Sequence, residues 1–326
     1  MNNNILFSDK EEFYSWEMTA NQAMSKALAL PDVKPLYKDL WYTGEIAFLF
    51  AETNVGKSIY AMQVAEYVAH SGIKTMYLDY ELSYSQFKSR YTNENGNPYV
   101  FSNNLLRPDL SVDKYCDSEM IKERFFRLLK LQAQKGVKVF IVDNITYLCE
   151  RLECGKFALA FMKELKQMQQ EYKLSILVVA HTPKRNVTKP LQADDLAGSK
   201  KLLNFADSSF ALGKALDGTD TIYLKQIKTR EGKKLYGEDN VIMYIIEKNG
   251  SFLQFTHIGY KEESKLLQQN RRDNSHLIPL AYKMHLEGKS GRSIAKEFNV
   301  SEACIRKWLT KYKHSQLYLD NITTMA

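Results

Sequence analysis

The chain has 326 residues, is 44% hydrophobic and 25% charged, and carries a net charge of +7, enough for one large domain and a small one. It has no run of about 18 apolar residues, which excludes a transmembrane helix, and Met1-Asn2-Asn3-Asn4 lacks the basic-then-apolar opening of a secretory signal. Four cysteines (Cys116, Cys149, Cys154 and Cys304) show no metal-ligand spacing and read as reduced thiols of a cytoplasmic protein.

Residues 1–35 are polar with scattered apolar positions and are expected to form a peripheral helical extension. From residue 36 to about 260, buried strands alternate with amphipathic helices, which predicts an α/β domain with a parallel-core sheet flanked by helices. The predicted strands are 46–50, 75–78, 137–142, 175–179, 208–212, 221–226 and 241–247. The last three follow one another with little helix between them, so that edge is expected to be antiparallel. The Asn-rich stretch 91–112, with Pro98 and Pro108, reads as a loop holding one short strand. A polar segment, 261–274, reads as a linker to a second domain at 275–313, and 314–326 as a tail.

The first strand, Ile46-Ala47-Phe48-Leu49-Phe50, runs into Ala51-Glu52-Thr53-Asn54-Val55-Gly56-Lys57-Ser58, and an amphipathic helix over 59–69 follows. Strand, turn and helix in this order make a phosphate-binding loop, because backbone N–H groups and the helix N-terminus converge on an anion. Thr53, Asn54, Val55, Gly56, Lys57, Ser58 and Ile59 are the expected nucleotide contacts. Lys57 reaches the β- and γ-phosphates and the Ser58 hydroxyl holds Mg²⁺. One position departs from the pattern: Ala51 stands where the first glycine is usual, adding a methyl where the loop turns.

Val139-Phe140-Ile141-Val142-Asp143 is an apolar strand ending in an acid, and Asp143 is expected to hold the Mg²⁺ hydration shell opposite Ser58. After the strand 75–78 come Asp79, Tyr80 and Glu81. If that strand lies beside the P-loop strand, Glu81 can reach a water in line with the γ-phosphate and act as general base, with Asp79 as the competing candidate. His181 ends Ser175-Ile176-Leu177-Val178-Val179-Ala180, where a γ-phosphate sensor would sit.

This order of motifs resembles the RecA-like ATPases of the hexameric helicase branch, the DnaB-type replicative and RepA-type plasmid helicases. The resemblance spans about 36–255. It rests on Glu81 after the second strand with Arg90 further along, His181 at the fourth strand end, Asp195-Leu196-Ala197-Gly198-Ser199, Asp207, and Lys228-Thr229-Arg230-Glu231-Gly232. It implies ATP and Mg²⁺ as cofactors and assembly into a homo-oligomer, a hexamer in that branch. It also implies that Lys228 and Arg230 enter the neighbouring subunit's ATP site, with Arg230 as arginine finger. The region around 184–201 would carry the central-channel loop, whose Lys184, Arg185, Lys189, Lys200 and Lys201 would track a single-stranded DNA backbone. No aromatic residues interleave there to stack bases.

The positive charge is concentrated near the C-terminus. Residues 261–313 hold twelve Lys/Arg less six Asp/Glu, a net of +6, which leaves +1 of the total +7 for the rest. Three helices are predicted in this region: 276–287, ended by Gly288; 291–298, capped by Ser290; and 302–312, capped by Ser301. The apolar positions Ile294, Ala295, Phe298, Val300, Ile305, Trp308 and Leu309 fit a helix-turn-helix core. Gly288-Lys289-Ser290 with Ile294-Ala295-Lys296-Glu297-Phe298-Asn299-Val300-Ser301 resembles the resolvase/transposase helix-turn-helix, which implies that the last helix presents Glu302, Arg306, Lys307 and Lys311 to duplex DNA.

Together these readings give an ATP-hydrolysing oligomeric DNA motor, a hexameric helicase of a plasmid or mobile element. The alternative is a DNA-bound ATPase acting as a switch without strand separation, kept open because no helicase collar domain precedes the core in this sequence. A non-hydrolysing scaffold, with Ala51 as a sign of decay, is opposed by the intact Lys57, Ser58, Asp143 and Glu81.

Overall fold

The computed structural model describes residues 18–110, 113, 117–148, 155–196, 200–268 and 277–323, and the side chains of these except 155–157, 200–201 and 314–323. It divides into two compact units: Met1–Ala215 with Asp220–Lys265, and Leu216–Thr219 with Leu266–Ala326.

Helix α1 (Ala20–Leu28) opens the described chain. Thr19 caps it in a reciprocal box with Gln22, and none of its residues is buried. A small antiparallel hairpin follows, β1 (Pro35–Tyr37) with β2 (Trp41–Tyr42), which the sequence does not announce. The main run is β3 (Ile46–Ala51), α2 (Lys57–His70), β4 (Thr75–Asp79), α3 (Tyr84–Arg90), β5 (Leu105–Leu106), α4 (Ser118–Gln134), β6 (Val139–Asp143), α5 (Ile145–Leu148), α6 (Gly155–Tyr172) and β7 (Ser175–His181). Then come α7 (Lys200–Phe205), β8 (Ser208–Lys214), β9 (Ile222–Lys228), β10 (Val241–Asn249), β11 (Phe252–Lys261) and α8 (Glu263–Leu266).

Nine strands form one sheet in the order β11-β10-β9-β8-β3-β7-β6-β4-β5. From β8 to β5 every pair is parallel, while β9, β10 and β11 add on antiparallel. β3, β4 and β6 are buried at every position, the continuous apolar run that a sheet covered on both faces requires. The antiparallel edge is longer than expected, because β11 extends it; its half-exposed alternation is a weaker signal than a buried run.

One expectation about order is corrected. The strand β4 does not lie beside the P-loop strand: β7 and β6 stand between it and β3. Short crossovers from β3 to β4 and from β6 to β7 leave two places between them for strands formed later in the chain, which periodicity along the sequence cannot reveal.

In the smaller unit, α9 (Leu277–Leu286), α10 (Gly291–Glu297) and α11 (Glu302–Thr323) pack around Ala281, Ile294, Ala295 and Ile305, with Met284, Phe298, Val300, Trp308 and Leu309 against them. Ser290 caps α10 by accepting from the Ser293 N–H at 3.2 Å. α11 runs past the predicted end at 312, since nothing in Tyr312-Lys313-His314-Ser315 breaks a helix. Its surface ion pairs, such as Arg306 with Glu302 at 3.8 Å, contribute under about 1 kcal/mol each, so the apolar core holds this unit together.

Within the stretch read from sequence as a linker, Glu263 is fully buried. Its Oε2 lies 2.5 Å from the Lys225 ammonium on β9, and its Oε1 accepts from the Leu191 N–H at 2.7 Å. Lys225 also donates to the Leu191 carbonyl at 3.0 Å. Removing one partner of such a pair leaves a buried unpaired charge, whereas removing both does not. Lys225→Met is therefore expected to lower unfolding stability by about 3–5 kcal/mol. Lys225→Met/Glu263→Leu should recover most of it in denaturant titrations, and a double variant as unstable as the single would refute this account.

Candidate active site

The functional groups gather where the parallel strands end. Register places Ala51 beside His181, Asp143 beside Val179 and Asp79 beside Asp143, so the loops leaving β3, β7, β6 and β4 emerge along one edge.

The P-loop leaves β3 at Ala51. Alanine is not a defect here: Ala51 is the last strand residue, paired with His181 on one side and Leu212 on the other. Its carbonyl accepts from the Thr182 N–H at 2.9 Å and from the Lys57 ammonium at 3.1 Å. The left-handed positions fall later, at Asn54 with φ 65° and Gly56 with φ 98°. Asparagine tolerates that region and glycine is made for it. Gly56 is doubly required, since a Cβ there would approach Ile246 Cδ1 to 2.8 Å and Phe255 Cζ to 2.9 Å. The Lys57 ammonium also bonds the Glu52 carbonyl at 2.9 Å, and burial lowers its pKa against the opposing pull of Asp143 and Glu81. Thr53, Asn54, Val55, Ser58 and Ile59 surround it along the same turn.

Asp143 is buried, and desolvation pushes its carboxyl up to about 6, opposed by hydrogen bonds from Tyr77 and Ser58. The Tyr77 hydroxyl donates to Oδ2 at 2.5 Å, while Oδ1 has no hydrogen-bond partner. A buried carboxylate oxygen without a partner, next to the Ser58 hydroxyl, fits a hard cation with oxygen ligands such as Mg²⁺.

Glu81 comes back across the gap left by β6 and β7. The turn that carries it is built by Asp79, whose Oδ1 accepts from the N–H groups of Glu81 (3.1 Å) and Leu82 (2.8 Å). Arg107 clamps the other Asp79 oxygen through Nε at 3.2 Å and Nη2 at 3.0 Å. Asp79 is thus consumed in shaping the loop, which leaves Glu81 free for chemistry. The Tyr80 N–H bonds the Asp143 carbonyl at 2.8 Å and draws the loop toward β6. Glu81 Oε1 then accepts from the Asn144 amide and lies 3.2 Å from His181 Nε2. The hydrogen bond with His181 holds the Glu81 carboxyl below its ordinary range against partial burial, so it is ionised at neutral pH and able to accept a proton. His181 Nε2 lies 2.9 Å from the Asn144 amide nitrogen, which closes a triangle of Glu81, Asn144 and His181.

Arg107, Tyr77 and Asn144 are site residues that the motif reading missed. Asn144 could have been found, since it directly follows the strand-end acid. Tyr77 could have been found by alternation, lying two positions before Asp79 on a strand with an otherwise ordinary apolar pattern. Arg107 follows an irregular loop and had no signal.

The structure does not bring Lys228 and Arg230 to this edge. They lie near Asp207, whose Oδ2 accepts from the Ile46 N–H at 2.9 Å, at the start of β3. Ile46 and Ala51 are five steps apart on one strand, about 16 Å at about 3.3 Å per residue. Lys228 turns inward, donating to the carbonyls of Leu203 (2.8 Å) and Ala206 (2.7 Å), where a cation meets the C-terminal end of α7. Arg230 is exposed and pairs with Asp207 Oδ1 at 2.7 Å.

Of the expected loop cations, Arg185 is also turned inward. Its guanidinium bonds the carbonyls of Asn186 and Lys189 and pairs with Asp195 at 3.5 Å, which leaves its side chain 9% exposed. It folds the loop onto itself and does not reach solvent. Lys184 and Lys189 are exposed, and so are Arg306, Lys307 and Lys311 on α11. The side chains of Lys200 and Lys201, and residues 197–199 of the Asp195-Leu196-Ala197-Gly198-Ser199 stretch, lie outside the described residues.

A family model described as AAA domain matches residues 17–187. No curated protein matches the chain. Among solved structures, the ATPase domain of a DnaB-type helicase superposes with a TM-score of 0.52 at 12% identity, over 73% of this chain and 99% of that chain. That likeness bears on fold, and with the strand order above it gives a RecA-like P-loop ATPase architecture. No helix among the described residues is long and apolar enough to cross a membrane.

Because Ala51 has an extended backbone, Ala51→Gly should leave kcat and KM for ATP within about twofold and cost about 0.5–1 kcal/mol of stability, the usual effect of glycine inside a strand. Gly56→Ala should abolish nucleotide binding measured by fluorescent-analogue titration. A large gain of activity in Ala51→Gly would mean that the alanine does impair the loop.

Proposed function

The chain belongs to the AAA domain family, and we propose that it hydrolyses ATP as one subunit of a ring-shaped DNA motor, a hexameric helicase of a plasmid or other mobile element. The observation that supports this most is the division of the expected catalytic groups between two edges of one sheet. Lys57, Ser58, Asp143, Glu81 and His181 share the P-loop edge, whereas Arg230 stands exposed at the other. A finger so placed serves only a neighbour's nucleotide, and head-to-tail repetition of that contact closes into a ring.

The chemistry assigned to the chain's own residues is positional. Lys57 leaves its loop carbonyls for the β- and γ-phosphates. Glu81, oriented by Asn144 and His181, aligns the attacking water and takes its proton. His181 donates to the γ-phosphate and, through the same triangle, reports its presence to Glu81. Mg²⁺, held by Ser58 and Asp143, would neutralise charge on the phosphates. Arg230 from the neighbouring subunit would stabilise the charge that develops in the transition state.

On the DNA side, Lys184 and Lys189, with Lys200 and Lys201, would follow a single-stranded backbone in the channel. The three-helix unit would act as a helix-turn-helix, with Arg306, Lys307 and Lys311 on duplex DNA. The inward turn of Arg185 thins the first set and leaves the second intact. That favours, as a second reading, a duplex-bound ATPase switch without strand separation.

Steady-state ATP hydrolysis without DNA, with single strands and with duplex separates the two readings, with Lys57→Ala as the blank. The motor reading expects strong stimulation by single strands; stimulation by duplex alone, or a flat rate, refutes it. Glu81→Gln is expected to lower kcat by about 10²–10⁴-fold with nucleotide binding retained. Arg230→Ala should lower it by about 10³-fold or more, and an unchanged kcat would remove Arg230 from the mechanism.

A further inference from the structure

The carboxylate at the opposite edge is organised as tightly as the catalytic one. Asp207 immediately precedes β8 and is 4% exposed. Its Oδ2 accepts from the Ile46 N–H at 2.9 Å and the Lys166 ammonium at 3.0 Å, and its Oδ1 accepts from Arg230 Nη1 at 2.7 Å. Two of these donors are fixed in the fold, one on the backbone of β3 and one on α6. The third is a side chain that is 61% exposed. Arg230 makes no other hydrogen bond among the described residues, so its remaining N–H groups are directed away from its own chain. Lys228 stiffens the same corner by tying the Leu203 and Ala206 carbonyls, and so the turn that carries Asp207, to the end of β9.

We propose that Asp207 is the positioning residue for the arginine finger: it pins one arm of the Arg230 guanidinium and presents the other arms, already extended, to the nucleotide site of the next subunit. This rests on the reading that Arg230 acts in trans. A free arginine at a surface samples many rotamers, and that freedom has to be lost as the charge on the phosphates develops. An arginine held by a rigid buried carboxylate has lost most of it beforehand, which is the general advantage of preorganisation. The pairing is a single-point contact through Nη1, not a bidentate one, and so leaves donors for phosphate oxygens. Lys228, in this account, supports the turn and does not enter the neighbouring site.

The test uses the full-length chain and subunit mixing. Asp207→Asn keeps the size of the side chain and removes the charge. It should lower kcat about tenfold with KM for ATP within about twofold, and add nothing to the loss in Arg230→Ala. Lys57→Ala subunits cannot hydrolyse ATP but carry an intact finger. Mixed in excess with Arg230→Ala or with Asp207→Asn, they should restore hydrolysis per intact P-loop to the level of wild type mixed with the same excess. Rescue of both supports the proposal. Rescue of Arg230→Ala alone would place the Asp207→Asn defect inside its own subunit and overturn the proposal while leaving the trans finger standing. Rescue of neither would overturn the trans finger itself. Wild-type kcat in Asp207→Asn would also overturn the proposal. Should Asp207→Asn fail to fold, by circular dichroism and gel filtration, Lys228→Met takes its place in the same mixing, with the same outcomes.

Discussion

The parallel register of β3, β7, β6 and β4 is the constraint on which the rest depends. It brings Ala51, His181, Asp143 and Asp79 to one edge of the sheet, and each loop that leaves that edge carries a different chemical part. Because the strands are buried on both faces, a one-residue slip would drive an apolar set apart and turn every loop residue away from its partners. Position at the site is therefore enforced by the core, and the site itself supplies little of the stability. This division suits catalysis, where groups have to be held in place before the substrate arrives.

Two buried carboxylates show how the fold treats charge differently at structural and chemical positions. Glu263 is fully satisfied, by the Lys225 ammonium and the Leu191 N–H. Asp143 keeps Oδ1 unpaired, and burial pushes its carboxyl up to about 6. An unsatisfied buried oxygen is costly, so it persists where a ligand completes it. The same contrast separates Asp79 from Glu81. Two backbone N–H groups and Arg107 use up the first, while the second has Oε1 on Asn144 and His181 and stays half-exposed.

Much of the site was legible because its signals are local. Strand, glycine turn and helix in one run identify the P-loop, and an apolar strand ending in Asp143 identifies its partner. What the chain does not encode locally is the order of strands. β4 was expected beside β3, yet β7 and β6 intervene, because the neighbours of a parallel strand are chosen by later segments of the chain. Side-chain direction is lost for the same reason. Arg185 and Lys228 read as basic groups awaiting a partner, but Asp195 and the carbonyls of Leu203 and Ala206 claim them. Ala51 looked like a flaw only while the loop was counted from it; once strand pairing reaches Ala51, the sharp turn moves to Asn54 and Gly56.

The two edges of the sheet differ in what they can do within one chain. At the P-loop edge, nucleophile alignment, phosphate binding and metal binding all lie within hydrogen-bonding reach of one another. At the far edge, a cation is held out by a buried acid with nothing of its own chain to act on. The strand between them is rigid, and its length of about 16 Å is not closed by any side-chain motion. A P-loop ATPase arranged this way is incomplete at one edge and over-supplied at the other. A second copy removes both conditions with one heterologous contact, and that contact repeats until the rotation closes. Coupling between subunits then needs no separate relay, because the group that completes one site is anchored, through Asp207 and the Ile46 N–H, to the start of the strand whose other end carries the next P-loop.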